Sequence, residues 1–210
     1  MVGNNVAVAA SLVWRRLGLL VSANVLWLVL SLPIVTWPAA TAGLFTIVRR
    51  VVQEELEATP REARLGDFWV GFRQQGLRGS LLVVMASAGL GIVGVALRFY
   101  GGSAEPLRWL IGPIGLIGLT WLGAQLYAFP LLLQRPARPP WEVLREAILI
   151  AVSHPMSSLS LLATSLVLGI AAVVLAGPVL LVFFSAMAVL QTVTVRRLLI
   201  DHGELGMVVP

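Results

Sequence analysis

The chain has 210 residues, of which 58% are hydrophobic and only 12% charged; it carries 15 arginines, no lysine and no cysteine. Without cysteine, disulfides, thiol catalysis and thiolate metal sites are excluded, and without lysine so is a phosphate-binding glycine loop closed by that residue. The net charge of +5 is not gathered into a basic domain but flanks apolar runs, which points to membrane topology and away from nucleic acid.

Residues 17–48, 79–97, 109–134 and 147–195 contain no Asp, Glu, Lys or Arg, and the mean hydropathy is +0.91. A membrane helix needs about 20 apolar residues, so the predicted fold is an all-α membrane protein. It forms one polytopic domain with about six spans: 17–36, 38–57, 79–98, 109–133, 156–175 and 178–195. Val6–Trp14 precedes them and ends in Arg15-Arg16 at a headgroup boundary. The first span is read as uncleaved, because its apolar stretch runs on past the Ala40-Thr41-Ala42 motif that a signal peptidase would need.

Pro33 and Pro38 break the first run, since each proline turns its predecessor away from helix. Thr36 is placed to cap a second helix with Pro38 in its first turn. That helix has only Ala39–Val48 before Arg49-Arg50, about 15 Å of rise against a ~30 Å core. The first pair is therefore a short hairpin, either spanning with snorkelled arginines or re-entrant. Residues 58–78 form a polar elbow, in which Asp67 is expected to cap a short amphipathic helix carrying Phe68, Trp69, Phe72 and Leu77. Residues 134–155 form a second elbow, with an amphipathic helix over 141–152 ended by His154-Pro155. Gly177-Pro178 is the expected turn between the last two spans. With the N-terminus inside and six crossings, 13 arginines fall inside and only Arg98 and Arg108 outside, so both termini are predicted to be cytoplasmic.

No catalytic or metal-binding constellation is found, and no cofactor is expected: two histidines are too few for a cluster, and all ten carboxylates lie outside the uncharged runs. Two sets of residues remain. Arg49, Arg50, Arg73, Arg78, Arg145, Arg196 and Arg197 are the candidate surface for a partner or for lipid headgroups. Asn24, Pro33, Thr36, Pro38, Gln125 and Gln191 are the candidate hairpin break and pathway, although buried amides and hydroxyls more commonly hold helices together.

Asn24–Thr36, with Leu32-Pro33-Ile34-Val35-Thr36 its most specific part, followed by Pro38–Ala42 and Val48-Arg49-Arg50, resembles the opening of the YesL family of small bacterial membrane proteins. Asp67–Arg73 and Ala147–Pro155 resemble later blocks of the same family. The resemblance implies a bacterial inner-membrane protein without a settled biochemical activity, associated with carbohydrate uptake by ABC importers; it carries over no catalytic residues. The leading expectation is a non-enzymatic accessory or regulatory component working through residues 49–78 and 135–146. Its partner would be an importer permease or ATPase, with a homo-oligomer as a further assembly. The alternative is a small transporter or channel for a neutral solute.

Overall fold

In a computed structural model, which describes residues 2–57, 62–102, 107–174 and 180–201, every element is helical. Helices α1 (Val2–Arg15) and α2 (Leu17–Ser31) meet at 91°. A 3-10 turn over Ile34–Thr36 leads into α3 (Trp37–Glu57), and α4 follows over Gly66–Gly101. After a second 3-10 turn at Leu107–Leu110 come α5 (Ile111–Gln134), α6 (Pro140–Ser153), α7 (Pro155–Val174) and α8 (Leu180–Asp201). Helices α6 and α7 meet at 102°, at the His154-Pro155 step where proline removes a backbone donor. The expected turn at Gly177-Pro178 lies outside the described residues.

Three stretches, Gly66–Gly101, Leu107–Gln134 and Phe183–Ile200, are long and apolar enough to cross a membrane, and there are five if each of two bent pairs is one span. These helices mark a membrane protein in contact with lipid. The expected short helix at 67–78 followed by a separate span at 79–98 is corrected. Gly66–Gly101 is one unbroken helix of 36 residues, because nothing between Arg73 and Leu81 opposes helix except glycines that tertiary packing tolerates. Asp67 is likewise not the cap. The N-cap residue is Leu65, and the Asp67 carboxylate accepts from the Arg64 amide at 3.0 Å.

Helix α3 packs antiparallel against the first part of α4. Gly71 faces Ala42 and Thr46, Gly76 faces Ala39, and Gly79 faces the Pro38 carbonyl. Small residues at this spacing bring two helix backbones together, as expected where lipid leaves van der Waals packing to hold helices. The register also fixes the apex of the α2–α3 hairpin: Pro38 sits beside Gly79, 22 residues and about 33 Å of helix short of the far end of α4. At the apex Leu32, Ile34 and Val35 are all more than 80% exposed. Beyond Gly79, α4 leans on α5, with Gly89 against the Trp121 ring and Gly118 against Val93.

The core lies where α2, α3, α4, α5, α6 and α8 converge, around Leu20, Ile47, Phe68, Leu82, Tyr127, Leu131, Val143 and Val189. Two tryptophans anchor it by their indole N–H groups. Trp27 donates to the Thr41 hydroxyl at 3.1 Å and packs at a tilt against Phe184. Trp121 donates to the Ala86 carbonyl at 3.1 Å.

Candidate functional site

The charged side chains collect at one end of the bundle, and most are consumed there. Arg15 and Arg16, at the α1–α2 corner, bind the last turns of α3. Arg15 pairs with Glu55 at 3.2 Å, and Arg16 pairs with Glu55 at 3.2 Å and also with Glu54. Glu54 also accepts the Ala63 amide at 3.0 Å, which ties down the segment entering α4. One turn back along α3, Arg50 Nε binds Asp67 at 2.9 Å, with both side chains largely withdrawn from solvent. Withdrawn from water, opposite charges at this distance are only weakly screened.

The end of α5 is held by two further arginines. Arg49 donates to the Leu133 carbonyl. Arg78 donates to the Arg135 carbonyl at 3.2 Å, to the Arg138 carbonyl at 2.5 Å and to the Gln75 amide oxygen at 2.7 Å. A helix leaves its last carbonyls without intrahelical donors and carries partial negative charge there, so a guanidinium is the complementary cap. Arg135 and Arg138 in turn pair with Glu146 of α6 at 3.4 and 2.9 Å.

The expected arginine surface is thereby divided. Arg49, Arg50 and Arg78 are half-buried and hold α3, α4 and α5 to one another. Arg196 and Arg197 are half-buried on α8, whereas Arg73 and Arg145 are exposed. The sequence reading missed the pairing of Arg16 with Glu54. Its signal is symmetry, since Arg16 lies 17 positions before Pro33 and Glu54 lies 17 after Trp37, which an antiparallel hairpin brings level. The Arg50–Asp67 pair has no comparable signal, because its register depends on how α3 docks on α4.

The candidate pathway residues fall on α2, α3, α5 and α8 and on the turn between α2 and α3. Asn24 is buried in α2 and Gln191 in α8, Pro38 is buried, and Pro33 is exposed at the apex. Thr36 does not cap α3. Its hydroxyl donates back to the Leu30 carbonyl at 2.5 Å and to that of Pro33 at 2.9 Å. Gln125 donates to Trp121 O at 3.3 Å, within its own helix. Thr120, Thr164 and Thr192 each bond the carbonyl four residues back in the same way. A crevice of about 260 Å³ between α6 and the end of α8 is lined by Glu146, Ile150, Ser153, His154 and Leu199 and includes none of the pathway residues. Among the described residues, no group of three or more His, Asp or Glu is placed to hold a metal ion.

Comparison with characterised proteins and with solved structures finds no match. A family model described as "Protein of unknown function, DUF624" matches residues 20–97, from α2 through the greater part of α4.

Proposed function

We propose that the protein is a non-enzymatic component of the bacterial cytoplasmic membrane that assists or regulates a carbohydrate importer of the ABC type. The arginine-rich end lies on the cytoplasmic side, and both termini with it. One observation carries this reading. Thr120, Gln125, Thr164 and Thr192 bond carbonyls of their own helices and Tyr127, Ser158 and Ser185 bond across helix contacts, while the charged end is cross-braced by Arg16, Arg49, Arg50 and Arg78. A solute pathway needs polar groups turned toward a common lumen; these are engaged with helix backbone or with one another. The bracing makes a stiff platform, on which Glu62, Arg64, Arg138 and Glu142 are exposed to a partner. The resemblance of Asn24–Thr36 and Asp67–Arg73 to the YesL family supplies the carbohydrate-uptake context. Mild-detergent extraction from the native membrane is expected to co-purify an importer permease or ATPase, and deletion is expected to impair uptake or assembly of that importer. Unchanged uptake together with solute flux through the purified protein in liposomes would replace this reading with intrinsic transport.

For topology, we read α4, α5, α7 and α8 as crossing helices and the α2–α3 pair as a hairpin on the cytoplasmic side whose apex reaches only the inner edge of the hydrocarbon. The register of Pro38 on Gly79 supports this, because an apex level with the start of the uncharged run in α4 does not reach its outer end. The division of arginines is the same as for six crossings, so charge alone does not distinguish the two. The chain is naturally free of cysteine, which permits a direct measurement. In intact cells, Val35→Cys is expected to resist a membrane-impermeant maleimide that labels Gly102→Cys. Equal labelling of both would place the apex at the outer surface and restore six crossings.

A further inference from the structure

The two helices at the arginine-rich end carry the same exposed stripe. Trp69, Arg73 and Leu77 on α4, and Trp141, Arg145 and Leu149 on α6, fall at positions i, i+4 and i+8, which align on one helix face. The two sets are offset by 72 residues. Burial follows the same offset: Phe68 with Pro140, Gly71 with Val143, and Gly79 with Ala151 are buried in both helices. Each helix thus packs one face into the bundle and turns a Trp–Arg–Leu row outward. Trp69 is 43% and Leu77 76% exposed; Trp141 is 61% and Leu149 56% exposed. Both arginines are exposed, and neither has an acidic partner among the described residues.

We infer that these rows are matched sites for anionic phospholipid headgroups of the cytoplasmic leaflet, with Arg73 and Arg145 taking the phosphate. Three features favour lipid over a protein partner. First, the α4 row runs without interruption into Leu81, Val84, Ile92, Val95 and Phe99, all exposed, so it is the end of the surface that meets acyl chains. Second, the order of side chains suits the boundary: indole at the interface, guanidinium reaching the phosphate on its apolar stem, leucine toward the hydrocarbon. Third, α6 turns 102° into α7, which lays its row along the headgroup layer, while α4 passes through that layer over the 12 Å or so from Trp69 to Leu77. Glu142, exposed beside Trp141, weakens the field at Arg145, so the α4 site is the stronger of the two. The inference needs the arginine-rich end to lie at a bilayer surface; it does not need an importer as partner.

The test uses the full chain in phosphatidylcholine vesicles containing increasing fractions of phospholipid brominated near the head of the acyl chain. The difference between the wild-type protein and Trp69→Phe isolates quenching of Trp69. Half-quenching is expected at a mole fraction about fivefold lower for brominated phosphatidylglycerol than for brominated phosphatidylcholine, as one arginine at an anionic surface predicts. Arg73→Lys should retain the preference and Arg73→Gln abolish it. Arg145→Gln should abolish a smaller preference read at Trp141. Equal half-quenching by the two headgroups, or a preference that survives Arg73→Gln, overturns the proposal. So does displacement by inorganic phosphate at constant ionic strength, which would make the site one for free anions. Failure of either lipid to quench Trp69 overturns it too, since another copy of the chain would then cover the row.

Discussion

Asp67→Asn is expected to lower the stability of the folded protein by about 3–5 kcal/mol, the usual cost of removing one member of a buried ion pair. Only 7% of the Asp67 side chain and 21% of that of Arg50 remain exposed. An asparagine still accepts the Arg64 amide but leaves the Arg50 guanidinium with little to compensate its desolvation. The carboxylate joins three parts of the chain: α3 through Arg50, the approach to α4 through the Arg64 amide, and α4 itself. Denaturation in mixed detergent micelles, followed by tryptophan fluorescence, measures the change. Replacing both partners, Arg50→Met with Asp67→Leu, is expected to recover most of the loss, because it removes both desolvation costs at once. A double variant no better than Asp67→Asn would show that the pair specifies the docking of α3 rather than merely neutralising charge.

Gly71→Ala is expected to cost about 1–3 kcal/mol, the range for overpacking a tight interface, although alanine is the better helix former. A Cβ at this position would lie 2.6 Å from Thr46 Cβ and 2.9 Å from the Ala42 carbonyl, and closer still to Thr46 Oγ1. The hydroxyl has no easy retreat, since it donates to that same Ala42 carbonyl at 2.7 Å. The added methyl must therefore push α3 and α4 apart. Thr46→Ala in the Gly71→Ala background should restore only part of the stability, because Thr46 Cβ stays in place. Gly91, whose Cβ would meet nothing within 4 Å, serves as the control, and Gly91→Ala should be neutral or mildly stabilising in the same assay.

Both predictions concern the α3–α4 contact, the part of the fold least legible in the sequence. The uncharged runs and the proline punctuation disclose the elements well. The break at Pro33–Pro38, the helix over 38–57 and the amphipathic helix ended by His154-Pro155 follow from hydropathy and backbone chemistry alone, and α2, α3 and α6 match them closely. Helix–helix register is another matter. Whether Arg50 meets Asp67 depends on where Gly71, Gly76 and Gly79 seat against α3, and glycines every few residues read equally well as flexibility or as an elbow. This is why residues 67–78 pass in the sequence for a separate surface helix, and why the contacts of Arg49 and Arg78 with the end of α5 are not legible there. Surface periodicity behaves differently: the Trp–Arg–Leu rows are visible as strings of letters, but their exposure rests on which face the bundle covers.

The contacts made by Arg78 bear on how the chain enters the membrane. Its guanidinium is synthesised well before the carbonyls of Arg135 and Arg138 that it binds, and Trp121 likewise reaches back to the Ala86 carbonyl. Until α5 emerges, α4 carries a guanidinium at the base of its uncharged stretch without the two carbonyls that later accept from it. Once α5 is alongside, the same cation closes the pair. The two segments are thus suited to leave the insertion machinery together, as a helical hairpin whose first half waits for its second.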